Sequence, residues 1–377
     1  MSISSIPAAV RCCLWGRAAG RCQYDGCNER LDLDLLTNHR MNRAFLAHFV
    51  ADSPDGPRGH PELSERLKSD IDNLMLLCAD HHKLIDVDEV ETHPVERLTD
   101  MKRRHEERIA LATAVRPERQ SHVLLYGAKI GAHDAPLGFR QAAEAMVPDR
   151  YPAENRAIEL GLKNAVRQDD ESGYWQNEVE HLRRQFARKV EPRLESDVRH
   201  LSIFGLAPMP LLIELGRLLS DLPAADVHQL HREPPGWYWN PPPSDFSYQV
   251  VAPAPTTVAA KSVALVIALS APINRERVAK AVGGDAAVWT ITHDDPRMDF
   301  LRSREQLSQF RDTLRSVYDR IKTVYGEDAA LSVFPAAPVS AAIEIGRVWM
   351  PKAHLPFRVF DQNQAKAGFH HVHTVEQ

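Results

Sequence analysis

Two seventeen-residue stretches of this 377-residue chain match without a gap at an offset of 130, and nothing else in it restricts the fold so tightly. LSIFGLAPMPLLIELGR (Leu201–Arg217) and LSVFPAAPVSAAIEIGR (Leu331–Arg347) share nine identical positions, too many for shared composition. Each reads as an apolar strand, an Ala-Pro turn and a helix. An amphipathic helix precedes each copy. Its stripe is Val179, Leu182, Phe186 and Val190 in the first, and Leu307, Phe310, Leu314, Val317, Ile321 and Val324, ending at Gly326, in the second. The apolar run at Val123 has its counterpart at Val263–Ile267. The spacing therefore predicts two related α/β halves, 122–245 and 260–377, separated by the Pro-rich stretch Pro234–Pro255.

Similar α/β halves commonly face each other across a pseudo-two-fold axis, and open α/β sheets bind ligands beyond the carboxyl ends of their strands. Those ends are Gly127–Lys129, Ala207–Pro210, Ala268–Ser270 and Ala337–Ser340, which makes Lys129, Pro208, Met209, Ser270, Pro338 and Ser340 candidate contacts. An anionic ligand with its own two-fold symmetry suits such a cleft, as a cyclic nucleotide does. Trp237 and Trp239 offer faces on which bases stack; packing under the Pro-rich loop explains them equally well. Glu214-x-Gly216-Arg217 and its repeat Glu344-x-Gly346-Arg347 read as a fold feature, with Gly for close helix packing and Glu paired to Arg.

The first 115 residues are a different kind of chain. They hold all five cysteines, Cys12, Cys13, Cys22, Cys27 and Cys78, so thiol chemistry is confined to one domain and points to metal rather than a disulfide framework. Cys22-Gln-Tyr-Asp-Gly-Cys27 is a turn that brings two thiolates together, and Cys78-Ala-Asp-His81 supplies a second pair; tetrahedral zinc accepts a Cys3His set. The run Ile71–Asp86 also carries Asn73 and His82 between apolar residues that suit a short helix, and a strand at Leu46–Val50 carries His48. The helix expected from Val95 to Ala114 bears Lys102, Arg103, Arg104 and Arg108, either a solvated surface or a phosphate-contacting patch. The region is acidic, 15 Lys/Arg against 19 Asp/Glu, so nucleic-acid binding gets no help from bulk charge.

On His48, Asn73, His82 and the Cys/His pairs, this region resembles the HNH nucleases, which implies a ββα-metal fold (α+β) with a structural zinc. By that resemblance His48 is the general base, Asn73 orients the base or the metal shell, and His82 holds a catalytic divalent cation such as Mg²⁺. Many such enzymes carry Asp or His directly before the base, where this chain has Ala47; Asp52 is the candidate substitute. The remainder, by HLSIFGLAPMPLLIELG and LSVFPAAPVSAAIEIGRVWMPK, resembles the SAVED domain, a fusion of two CARF-like, Rossmann-like α/β units that senses cyclic oligonucleotides.

The combined resemblance is to HNH–SAVED effectors of bacterial CBASS anti-phage systems, with an HNH domain at 1–115, a linker at 116–121 and a SAVED domain at 122–377. It implies that a cyclic di- or trinucleotide drives homo-oligomerisation, dimer to tetramer, and releases nonspecific double-stranded DNA cleavage. A modification-dependent restriction nuclease and an inactive zinc-binding adaptor are the alternatives. The start of the chain lacks the apolar core of a secretory signal, and no apolar run approaches a membrane span, so a soluble cytoplasmic protein is expected.

Overall fold

The computed structural model describes residues 5–34, 36–130, 135, 137–161, 171, 173–196, 198–241, 243, 245–254, 262–363 and 368–376. Two compact units divide between Pro117 and Glu118.

The first unit starts with helix α1 (Ala8–Arg17). Strand β1 (Phe45–His48) pairs antiparallel with β2 (Leu74–Leu77), from Phe45↔Leu77 to His48↔Leu74. Helix α2 (Leu63–Leu67) lies between them in sequence; α3 (Ala79–Lys83) leaves β2 at Cys78 and is continued by a wider π turn, Leu84–Asp88. Leu74–Leu77, which suited a helix by composition, is a strand with all four residues buried. A four-residue apolar run has no periodicity to separate the two states, and burial on both faces decides it. Helix α4 (Val95–Thr113) packs Leu98, Met101 and His105 inward, leaving Ile109 half-buried. Its basic residues have partners within the unit. Lys102 is buried against Glu106, Arg103 meets Asp100 and Glu107, Arg104 meets Asp25, and Arg108 donates to Asn28.

In the second unit, β3 (Gln120–Gly127), β4 (Tyr151–Pro152), β5 (Ile158–Glu159), β6 (Leu201–Leu206) and β7 (Ala225–His228) form a parallel sheet in the order β4-β3-β6-β7, with β5 also on β3. Strand β3 begins inside the stretch expected as a linker, because Gln120 and Ser121 already pair with β4. A ribbon of β8 (His231–Arg232) and β9 (Pro235–Gly236) follows. The second sheet has β10 (Gln249–Val251), β11 (Ser262–Ala268), β12 (Ala287–Thr292), β13 (Ala330–Ala336), β14 (Phe357–Asn363) and β15 (Gly368–Val375), in the order β10-β12-β11-β13-β14-β15. Its four central strands are parallel and the edge strands antiparallel. The helices are α5 (Phe139–Met146), α6 (Tyr174–Lys189), α7 (Glu191–Ser196), α8 (Met209–Leu219), α9 (Arg275–Val282), α10 (Arg304–Tyr325) and α11 (Val339–Arg347). The Pro-rich stretch is more than a separator, since its Gln249–Val251 joins the second sheet against Thr290–Thr292; Pro242, Ser244 and Pro255 of it lie outside the described residues.

The repeat explains how the halves meet. Helices α8 and α11 cross so closely that a Cβ on Gly216 would overlap the Ile343 carbonyl, and one on Gly346 would overlap the Ile213 carbonyl. Those two contacts are related by the same 130-residue offset, as a pseudo-two-fold axis through the crossing requires. A single core runs from one sheet through this helix pair to the other, with Leu124, Ile203, Leu212, Leu265, Val333 and Ile343 among its fully buried residues.

Candidate functional site

In the first unit, the Cys22–Cys27 turn and the Cys78–His81 helix start converge. One ligand atom from each of Cys22, Cys27, Cys78 and His81 falls within 4.8 Å of the others, and among the described residues no other three His, Cys, Asp or Glu do so. His81 Nδ1 lies 3.0 Å from Cys78 Sγ and 3.8 Å from Cys22 Sγ, while Tyr24 stacks on its ring at 4.1 Å. One tetrahedral cation at ordinary sulfur and nitrogen distances of about 2.0–2.3 Å spans this set. Burial pushes the Cys22 thiol far above its ordinary pKa and raises that of Cys78; a bound cation would reverse this by binding the thiolates.

The end of β1, the residue before β2 and α3 carry a second group. His48 is buried, and its Nε2 meets the Lys68 carbonyl at 2.9 Å. A carbonyl only accepts, so Nε2 carries the hydrogen and Nδ1 of the neutral ring keeps its lone pair. Asn73 fixes that arrangement. Its Oδ1 accepts from Val50 N (2.9 Å), and its Nδ2 donates to Val50 O (2.9 Å) and Leu67 O (3.2 Å), tying together the segments on either side of the His48 bond.

His82 stacks on Phe45 at 4.8 Å and points away from the thiols, with its Nε2 3.3 Å from Asp86 Oδ2. Burial lowers its pKa, and the Asp86 carboxylate opposes this. The adjacent histidines thus have different neighbours, Cys78 for His81 and Asp86 for His82. Asp52 is half-buried in the loop after β1 and does not complete a three-residue ligand set with them. The carboxylate beside His82 is Asp86, which sequence reading passed over. Arg58 reaches it at 2.6 Å and also donates to the carbonyls of Phe49 (2.8 Å) and Ile85 (2.7 Å). Asp86 follows His82 by four residues, one helical turn, and that spacing was the available signal.

In the second unit the candidate cleft residues divide. Lys129 follows β3 at its carboxyl end, half-buried, and its carbonyl accepts from Tyr174 Oη (3.3 Å). Pro208 and Pro338 cap α8 and α11 and are buried. Met209 and Ser340 join the halves to each other: Met209 Sδ accepts from Ala337 N (3.3 Å), and Gln229 Oε1 accepts from both Ser340 N (3.2 Å) and Oγ (2.7 Å). Ser270 is half-buried. Its backbone N–H donates to Ala336 O (2.8 Å), and that of Leu269 donates to the same carbonyl (2.9 Å), which closes the end of β11 onto β13. Trp237 is no stacking platform. It is 5% exposed and packs edge-on against Phe204, because its apolar ring closes the core under the ribbon. Trp239 is half-buried, edge-on to His231.

The repeated Glu-x-Gly-Arg motif is a buried charge network. Glu214 is fully buried and meets Arg217 (2.6 Å), Arg183 (2.7 Å) and His373 of the other half (2.8 Å). Glu344 pairs with Arg347 at 2.9 Å, and Arg311 lies 3.4 Å from it. Burial alone would raise the Glu214 pKa, but Arg217, His373 and Arg183 hold it down from its ordinary 4.5 to about 2. A carboxylate with a depressed folded-state pKa stabilises in full above its unfolded value, and that contribution fades as pH falls from about 4.5 toward 2. Between about pH 6 and pH 3, the wild type is therefore expected to lose about 2 kcal/mol more stability than Glu214→Gln. Urea midpoints of the second unit at the two pH values measure this; equal losses would refute it.

A family model, described as the SMODS-associated and fused to various effectors sensor domain (SAVED), matches residues 182–375, just over half of the chain. The chain belongs to the SAVED family. The match covers the duplicated segment and both members of the α8–α11 pair, so the helix crossing lies inside the SAVED domain. Solved structures similar to this SAVED protein include the Acinetobacter baumannii Cap4 SAVED/CARF-domain containing receptor with the cyclic trinucleotide 2'3'3'-cAAA, at 11% identity and a TM-score of 0.43, covering 75% of this chain and 60% of that one. Another structure of that receptor has 12% identity and a TM-score of 0.41, covering 84% and 66%. The Moraxella osloensis Cap4 receptor has 11% identity and a TM-score of 0.37, covering 84% and 70%. This chain thus spans 60% of the length of the first of these. No curated protein matches. Among the described residues, no helix is long and apolar enough to cross a membrane.

Proposed function

We propose that this SAVED protein is a cyclic-oligonucleotide-activated, metal-dependent DNA endonuclease of a CBASS anti-phage system. The observation that carries the reading is the presence of two separate residue groups around β1, β2 and α3. Cys22, Cys27, Cys78 and His81 gather in one cluster, while His48 with a free Nδ1 lone pair and His82 with Asp86 stand outside it. A SAVED sensor on the same chain supplies the gate.

In this reading zinc is the cation of the Cys3His set and is structural, because four protein ligands leave no open position. His48 Nδ1 accepts a proton from water as the water oxygen bonds to phosphorus and the bond to the 3′ oxygen breaks, that oxygen taking a proton from solvent; Asn73 holds the segments that orient His48. His82 and Asp86 would hold a divalent cation, which suits Mg²⁺ sites built from one or two protein ligands completed by water and substrate phosphate. When bound, that cation neutralises charge developing on the phosphate. Arg58 fixes Asp86 in place. The ligand lies at the carboxyl ends of the strands, near Lys129 and Ser270. Duplex DNA is the substrate, and ligand binding drives assembly of several copies.

The test uses purified full-length protein, Mg²⁺, supercoiled plasmid and a panel of cyclic di- and trinucleotides. One cyclic nucleotide is expected to raise the melting temperature, in proportion to the logarithm of its concentration, and to switch on plasmid degradation. Full cleavage without any ligand would refute gating and favour a restriction enzyme. Thermal stabilisation with no cleavage under any metal would favour an inactive adaptor.

A further inference from the structure

The second half carries a groove that the reading above does not use. Arg277 and Lys280 of α9, Arg358 and Phe360 of β14, and Phe369 and His371 of β15 frame a cavity of about 830 Å³. It lies on the sheet face opposite α8 and α11: Phe360 packs with Val266 and Val278, whereas Val359 packs with Val333 and Ile343. A bulge where β14 meets β15 lets His371 turn to Phe360 on this outer face while His373 reaches Glu214 on the inner one.

Among the described residues, no Asp or Glu lines the groove. Arg277 donates to Gln362 Oε1 (3.3 Å) and sits 5.2 Å over the Phe369 ring; Arg358 donates to Ser332 Oγ (3.1 Å) and lies 5.8 Å from the centre of Phe360. Both guanidiniums are therefore oriented by neutral partners. Elsewhere in this unit Arg150, Arg183, Arg217 and Arg347 each meet a carboxylate. Cations gathered in one concavity repel one another, and an anion bearing several charges in a row offsets that repulsion. The cavity of about 530 Å³ beside β12 is the contrast: Glu233, Asp245, Asp294 and Asp295 line it against Arg297 and Arg302, an acidic balance that disfavours a polyanion.

We propose that the groove binds the phosphodiester backbone of duplex DNA, as a sequence-independent contact outside the ligand cleft. Among the described residues the charged part of its lining is cationic, with Arg277 and Arg358 already held against Phe369 and Phe360, which suits contact with phosphates. Arg277, Lys280 and His371 are exposed, which gives a long polymer access.

The test measures binding of full-length protein carrying His48→Ala, which keeps DNA intact, to a fluorescein-labelled duplex of random sequence across a salt series. Combining Arg277→Ala, Lys280→Ala and Arg358→Ala is expected to weaken binding at least about tenfold at low salt and to make the slope of log K against log salt shallower by about 2 to 3. Lys280→Arg should bind as the parent does. Unchanged affinity and slope in the triple variant would overturn the proposal. Displacement of DNA by millimolar inorganic phosphate or a mononucleotide, at unaltered ionic strength, would overturn it too and give the groove to a small anion. Melting temperatures check folding; should the triple variant unfold, Lys280→Glu on an exposed side chain is expected to weaken binding at least about threefold. The readout is binding by a variant unable to cut, so it stands or falls separately from the nuclease reading.

Discussion

His48→Ala is expected to lower ligand-stimulated plasmid cleavage by about two to four orders of magnitude, the range that a positioned general base contributes. The expectation rests on one hydrogen bond. Because the Lys68 carbonyl fixes the hydrogen on Nε2, the lone pair is on Nδ1, and removing the imidazole removes it. Losing that bond costs the fold only about 1 kcal/mol, so the melting temperature should fall by a few degrees at most. Initial rates of plasmid nicking at saturating ligand and Mg²⁺, for wild type and variant, give the comparison. A variant that cuts within about threefold of wild type would remove His48 as the base, since base catalysis is worth far more.

Removing the metal from the Cys3His set is expected to unfold the first unit. Elemental analysis should return about one zinc per chain, and Cys22→Ser or a strong chelator should abolish the unfolding transition of residues 1–117 while that of the second unit stays in place. The scale follows from structural zinc sites, where binding contributes about 10 kcal/mol or more to folding. The Cys22 thiol is fully buried beside Cys78 and His81, so a lost ligand leaves polar atoms facing apolar neighbours rather than water. Cys12→Ser is the control, because Cys12 is exposed on α1 outside the cluster. A metal-free first unit that melts as the wild type does would exclude a structural ion.

Some of this was legible in the chain because it is written in self-similarity or in short spacings. The 130-residue repeat implied two α/β halves, and the crossing of α8 and α11 shows why Gly216 and Gly346 recur: each lies against a backbone carbonyl of the other helix. The Cys22–Cys27 and Cys78–His81 pairs needed only local turn geometry to suggest a shared centre, and the structure brings their ligand atoms together.

Other features depend on which face of an element meets a distant one, and sequence spacing does not encode that. Leu74–Leu77 became a strand because β1 pairs along its edge and all four residues are buried, on both faces. Trp237 became core because Phe204 lies beneath it. Asp86 meets His82 because one helical turn brings it there, with Arg58 arriving from a loop 28 residues earlier. His373 reached Glu214 across 159 residues because a bulge changed the facing of β15. By itself the sequence determined the duplication, the ligand types and their local pairing. Tertiary structure alone decided which buried charge meets which partner, because that pairing follows from packing between segments remote in the chain.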